Sequence, residues 1–135
     1  MSEIRSVAVV GAGAWGTALA LAAAKAGRET TLWGRDEAAI AEMTAKRECG
    51  RHLPGIALPP ALRLTAELRD VEAADTVLLA VPAQAVRAMA SDLAPHLPRE
   101  KPVILCAKGL ERGSAKRLTE VLAEALPTSI PAVLS

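Results

Sequence analysis

The stretch Val7-Ala8-Val9-Val10-Gly11-Ala12-Gly13-Ala14-Trp15-Gly16-Thr17-Ala18 decides the fold. Its first four residues are an apolar run without polar alternation, the pattern of a strand covered on both faces. Glycine stops that run. Ala14 to Ala26 then reads as a helix closed by Gly27, whose missing Cβ suits the left-handed position past a helix end. Between strand and helix stands Gly11-Ala12-Gly13-Ala14-Trp15-Gly16, a complete GxGxxG. Any glycine-rich turn can match this spacing by chance, but here it follows a strand and opens a helix, the setting that a dinucleotide pyrophosphate requires. Gly11 permits the tight turn, Gly13 leaves room for phosphate at the main chain, and Gly16 lets the helix pack close to the strand. Main-chain N–H groups and the positive end of the helix dipole would hold the phosphates.

Outward from this motif, strand and helix alternate. Thr30 to Trp33 predicts the second strand, and Asp36 caps a helix whose apolar face includes Ala39, Ile40 and Met43. From Arg47 to Pro60 a loop carries Gly50, Pro54, Gly55 and the Pro59-Pro60 pair. A short strand at Leu62 to Leu64 and a helical turn at Ala66 to Ala73 come next. Thr76 to Val81 is a second buried strand, Ala83 to Ala94 a helix, Val103 to Cys106 a strand, and Ser114 to Leu126 an amphipathic helix. A last strand begins at Ala132. Such alternation argues for an α/β fold with a doubly wound, mostly parallel Rossmann sheet and helices on both faces.

Composition agrees with one ordinary domain, residues 1–135. The chain is 51% hydrophobic and 23% charged, enough apolar material for a core. Two Trp, no Phe and no Tyr leave no stacking surface for bases, and a net charge of +1 without long charge runs announces no electrostatic partner. No nucleic acid is expected. Cys49 and Cys106 lie far apart with no Cys/His cluster, so neither a metal site nor a disulfide is predicted and a reducing cytoplasm fits. Met1 to Val7 lacks the basic-then-apolar layout of a signal peptide. Val7 to Ala24 is uncharged and long enough for a membrane span, but it divides into a strand and a helix, and no span is expected.

Chemistry beyond the glycines rests on a few side chains. Rossmann domains that prefer NAD place an acid at the tip of the second strand, where this chain reads Trp33-Gly34-Arg35-Asp36. Arg35 is placed to pair with a 2′-phosphate, which favours NADPH over NADH. It could equally stack on adenine or stand solvated in a turn. Lys108 follows a strand end, where ligands of open α/β sheets bind, and either meets a phosphate or oxygen there or is a solvated lysine. Val81-Pro82-Ala83-Gln84 is a turn facing the nicotinamide half or simply a proline-led helix start. His52 is the only histidine in a loop expected near the cofactor, in a plain loop role or a catalytic one; His96 receives no function.

Together these residues resemble the amino-terminal domain of the bacterial NAD(P)-dependent glycerol-3-phosphate dehydrogenases. The resemblance runs through Val9 to Ala18, Leu32-Trp33-Gly34-Arg35, Leu53-Pro54-Gly55, Val81-Pro82 and Ala107-Lys108-Gly109-Leu110. It implies reversible hydride transfer between sn-glycerol 3-phosphate and dihydroxyacetone phosphate, in the service of phospholipid synthesis. It also implies cofactor contacts at Ala14, Trp15, Arg35 and His52, and a lysine shared by cofactor and substrate at Lys108. The family often has Asn and an aromatic ahead of its Leu-Pro loop, where this chain has Cys49 and His52. It also implies a Gly-Pro-Ser/Thr segment and a helical domain beyond Ser135, with a lysine as general base, so no catalytic residue is expected within the chain. The expectation is the cofactor-holding part of an enzyme, for which a homodimer at full length is one open assembly.

Two other readings stay open on the residues alone. One is the Rossmann domain of a different NADP-dependent dehydrogenase, of the ketopantoate reductase or 6-phosphogluconate dehydrogenase kind. The other is a non-catalytic domain that senses a dinucleotide and regulates a partner.

Overall fold

A computed structural model of the chain describes residues 4–48 and 53–134. Within these residues six strands form one sheet: β1 (Ser6–Val10), β2 (Glu29–Trp33), β3 (Arg63–Thr65), β4 (Thr76–Leu79), β5 (Pro102–Leu105) and β6 (Ile130–Val133). Their order is β3-β2-β1-β4-β5-β6, with every neighbouring pair parallel. This is the doubly wound dinucleotide-binding order, whose direction reverses between β1 and β4. The crevice outside the carboxyl ends of those two strands is the ligand position such sheets offer.

Among the described residues four α-helices cover the sheet: α1 (Ala14–Lys25), α2 (Glu37–Lys46), α3 (Val86–Leu93) and α4 (Leu118–Ala125). β1 shows why both faces are filled. Its apolar run sends Val7 and Val9 into a cluster with Ala20 of α1 and Ile40 and Met43 of α2. Ala8 and Val10 enter the opposite cluster with Met89 and Leu93 of α3 and Val121 and Leu122 of α4. Each such Val or Leu removed from water contributes roughly 1.5–3 kcal/mol before the entropy of ordering is counted. The sequence Val7 to Ala24 is thereby divided between β1 and α1, and among the described residues no helix is long and apolar enough to cross a membrane.

Most predicted elements stand where the residues placed them, and the differences have local causes. Gly27 closes α1 with φ 84°, and the Arg28 N–H donates to the Ala23 carbonyl at 3.1 Å. The Asp36 carboxylate caps α2 by accepting from the Ala39 N–H at 3.1 Å. The helix expected from Ser114 instead begins at Leu118, because Leu110 and Arg117 form an antiparallel bridge and Gly113 and Ala115 take positive φ. The helix expected over 83–94 starts as a 3-10 turn, Ala83–Ala85, led by Pro82, and becomes α3 only at Val86. The last strand begins at Ile130, two residues before the predicted Ala132.

Candidate functional site

The turn after β1 shows a separate physical reason for each of its glycines. Gly11 has φ 121°, and its N–H donates to the Trp33 carbonyl at 2.9 Å, extending the β1–β2 ladder into the turn. A Cβ there would stand 2.4 Å from the Ala80 carbonyl oxygen. On Gly16 a Cβ would stand 1.7 Å from the Gly11 carbonyl oxygen, so α1 rests directly on the turn. Gly13 differs: its φ of −75° suits any residue, and a Cβ on it would meet nothing within 4 Å. Among the described residues no atom demands a glycine at this position, and the space beside it is open.

Gly13 is also the N-cap of α1. It offers no side chain to the helix, and no acid stands in the first turn. The first-turn N–H groups are therefore left for solvent or an anion, with the positive end of the helix dipole behind them. Ala14 and Trp15 lie exposed on this turn, Trp15 at 55%. Open space at Gly13 beside an uncapped helix start at the sheet's switch point fits a dinucleotide pyrophosphate.

At the tip of β2 the chain divides its side chains between core and rim. Trp33 turns inward, 7% exposed, into the cluster holding Val71 and Ala74, and its buried indole Nε1 has no hydrogen-bond partner among the described residues. Gly34 is buried, and a Cβ on it would meet Ile40 Cδ1 at 2.8 Å and Ala12 Cβ at 2.9 Å. The β2–α2 turn thus closes against the glycine loop. Sequence reasoning gave Gly34 no such part; its place beside Arg35 at a strand tip was the available signal. Arg35 is exposed and lines a cavity of about 630 Å³ together with Ala12, Gly13, Asp36, Met43 and Gly55. It makes no hydrogen bond or ion pair with another described residue.

Lys108 lies elsewhere on the same edge. The Cys106 N–H donates to the Leu79 carbonyl at 3.1 Å, so the chain leaves β5 beside the end of β4. Lys108 then stands exposed, two strands from β1, or about 10 Å at ordinary strand spacing. Val81-Pro82 occupies the interval after β4. The structure therefore brings Gly13 and Arg35 to one cavity and leaves Lys108 apart from it. His52 and Cys49 lie outside the described residues. Burial pushes the Cys106 thiol up, away from thiolate reactivity. Among the described residues no cluster of His, Cys, Asp and Glu could hold a metal.

The turn carrying Lys108 is tied to α3 and α4. Arg87 donates from Nε and Nη2 to the two oxygens of Glu111 at 2.8 and 2.9 Å, and from Nη1 to Glu124 at 3.0 Å. Arg87 and the Ser114 hydroxyl, by hydrogen-bonding the charged form, hold the Glu111 carboxyl down at about 2. Nothing local in the sequence announces this pair, since its members lie 24 residues apart.

Comparison with known proteins supplies the family. Residues 6–135 match the model of the NAD-dependent glycerol-3-phosphate dehydrogenase N-terminus. Glycerol-3-phosphate dehydrogenase (NAD(P)+) of Azorhizobium caulinodans is 53% identical over 100% of this chain and 41% of its own length. That of Rhodopseudomonas palustris strain BisA53 is 47% identical with the same coverage. A crystal structure of glycerol-3-phosphate dehydrogenase from Coxiella burnetii superposes with a TM-score of 0.88 at 32% identity, over 96% of this chain and 40% of that one. The chain spans about two fifths of the length of the curated relatives it matches. With its sheet order, its glycine turn and these likenesses in agreement, the chain belongs to the family of NAD-dependent glycerol-3-phosphate dehydrogenase amino-terminal domains.

Proposed function

We propose that residues 1–135 form the cofactor-holding domain of an NAD(P)-dependent glycerol-3-phosphate dehydrogenase and that NADPH is the preferred dinucleotide. The pyrophosphate lies over Gly11, Gly13 and Gly16, held by the N–H groups of the first turn of α1, with Ala14 and Trp15 beside it. Arg35 pairs with the 2′-phosphate. Lys108 reaches the nicotinamide half and the substrate oxygen, and His52, outside the described residues, is a further cofactor contact by the family resemblance. The open space at Gly13 in front of an uncapped helix is the observation that carries this reading, because no packing requirement within the described chain explains it.

The full-length protein then reduces dihydroxyacetone phosphate to sn-glycerol 3-phosphate for phospholipid synthesis in the cytoplasm. The dinucleotide that the glycine turn and Arg35 would hold would supply the hydride that reduces the C2 carbonyl, and by the family resemblance the proton donor to its oxygen would come from the part of the enzyme beyond this domain. Lys108, as a cation near that oxygen, would stabilise the charge that develops on it. The test is calorimetric titration of the chain with NADPH and with NADH. Binding of NADPH in the micromolar range, tighter than NADH, is the expected result, and no binding of either at about millimolar concentration refutes the proposal.

A further inference from the structure

The turn that carries Lys108 is held from outside its own segment. Beyond Gly109, with φ 110°, the chain doubles back. The Glu111 N–H donates to the Lys116 carbonyl at 2.9 Å, and the Ala115 N–H to the Glu111 carbonyl at 2.9 Å. Lys108, Gly109 and Leu110 are exposed, so apolar burial does little to set their height above the sheet.

Polar contacts do this instead. Gln84, in the turn after β4, uses both ends of its amide. Its Nε2 donates to the Leu110 carbonyl at 3.1 Å, and its Oε1 accepts from the Arg112 N–H at 2.8 Å. These are main-chain contacts of the sort a neighbouring strand would make. One helical turn further on, the guanidinium of Arg87 grips both oxygens of Glu111. A two-point guanidinium contact fixes distance and plane together, which a lysine cannot do. The Glu111 side chain is only 15% exposed, so water screens this pair less than an ordinary surface ion pair. Lys108, two residues before the clamped segment, makes no hydrogen bond or ion pair with any described residue.

We propose that Gln84 and the Arg87–Glu111 pair are positioning residues for Lys108, setting the turn after β5 at the height where its ammonium meets a ligand lying across β4 and β5. This inference rests on the reading of Lys108 as a ligand-binding cation. A lysine stem can absorb a shift of its base only by giving up rotamer freedom, so fixing the base lowers the entropic cost of holding the ammonium in place, and an ammonium about 1 Å out of place loses much of its contact.

A double-mutant cycle on the 135-residue chain tests it, with NADPH as one ligand and adenosine 2′,5′-bisphosphate as the other. The second ligand carries only the adenosine half and stops short of Lys108. Gln84→Glu is nearly isosteric; it keeps the acceptor for Arg112 but sets a carboxylate against the Leu110 carbonyl. Lys108→Ala and Gln84→Glu are each expected to weaken NADPH by about tenfold, the scale of one charge-assisted hydrogen bond. Both should leave adenosine 2′,5′-bisphosphate within about twofold, and the double variant should bind NADPH no more weakly than Lys108→Ala alone. Additive losses, or equal losses for both ligands, would show that Gln84 supports the fold generally and overturn the proposal. If Lys108→Ala binds NADPH normally, the proposal and the Lys108 assignment fall while the cofactor reading stands. If the unaltered chain binds neither ligand, the cofactor reading itself falls and this one with it. Should Gln84→Glu fail to fold by circular dichroism, Arg87→Lys keeps the charge, loses the two-point grip and is expected to give the same pattern.

Discussion

A Cβ built on Gly16 would stand 1.7 Å from the carbonyl oxygen of Gly11, so the first turn of α1 lies on the end of β1 with no room for a methyl group. Replacing glycine by alanine inside a helix ordinarily gains about 1 kcal/mol. Here the obstructing atom belongs to the backbone and cannot swing aside, so overpacking decides the sign. Gly16→Ala is expected to destabilise the chain by about 2–3 kcal/mol, read from the midpoint of urea unfolding. A variant as stable as the parent would mean that α1 can slide on β1.

Gly13 gives the opposite expectation from the same loop. With φ −75°, ψ −172° and nothing within 4 Å of an added Cβ, Gly13→Ala should fold with stability within about 0.5 kcal/mol of the parent. Its methyl group would stand where the pyrophosphate approaches, so NADPH affinity should fall on the order of tenfold or more. Unfolding and titration together separate the two glycines. Lost stability with unchanged affinity at Gly13 would contradict the placement of the phosphates.

These two glycines also show what the sequence made legible. The spacing and setting of Gly11, Gly13 and Gly16 revealed the turn, and uninterrupted runs such as Val7 to Val10 and Val77 to Leu79 revealed a sheet covered on both faces. Such features were readable because a few neighbouring residues determine them. The start of α4 was misplaced because a bridge between Leu110 and Arg117 and two positive-φ residues take up 110–117, and no periodicity encodes that. Gln84 with Arg112, and Arg87 with Glu111, stayed hidden for the same reason: they meet only after β4 and β5 are paired.

Trp33 bears on stability in a way its size alone would not suggest. Its buried Nε1 has no partner among the described residues, and an unsatisfied donor costs about 1–3 kcal/mol. Trp33→Phe removes that donor together with part of the ring, so the two effects oppose each other and the net change should stay below about 1 kcal/mol. Leu32→Ala, at a fully buried neighbour on β2, should cost about 2–5 kcal/mol. Equal, large losses in thermal unfolding would mean that the indole N–H finds an acceptor in solution.

Glu111 makes stability depend on pH. Its folded carboxyl titrates at about 2, below the ordinary value near 4.5, so the unfolded chain binds the proton more tightly. The stabilisation is fully present above the unfolded value and is lost as pH falls through the folded one. Urea midpoints should therefore decline between about pH 5 and 2, and Glu111→Gln should decline less steeply over that window. Identical slopes for parent and variant would show that the Arg87 contact is absent in solution.

The proposed preference for NADPH turns on Arg35. The cavity it lines also holds Asp36, Glu42, Lys46 and Glu48, and Lys46 is already paired with Glu42 at 2.8 Å. Asp36 spends one oxygen on the Ala39 N–H. Among the described residues of that cavity, Arg35 is thus the cation with no carboxylate partner, in a setting whose remaining charge is acidic. A dianionic 2′-phosphate is acceptable there only where the guanidinium can reach it. Arg35→Ala should then weaken NADPH about tenfold more than NADH, and added salt should shrink the difference. Arg35→Lys, which keeps the charge but loses the planar fork, should fall between parent and alanine variant. Equal losses for the two cofactors would instead assign Arg35 to stacking on the adenine, which NADH and NADPH share.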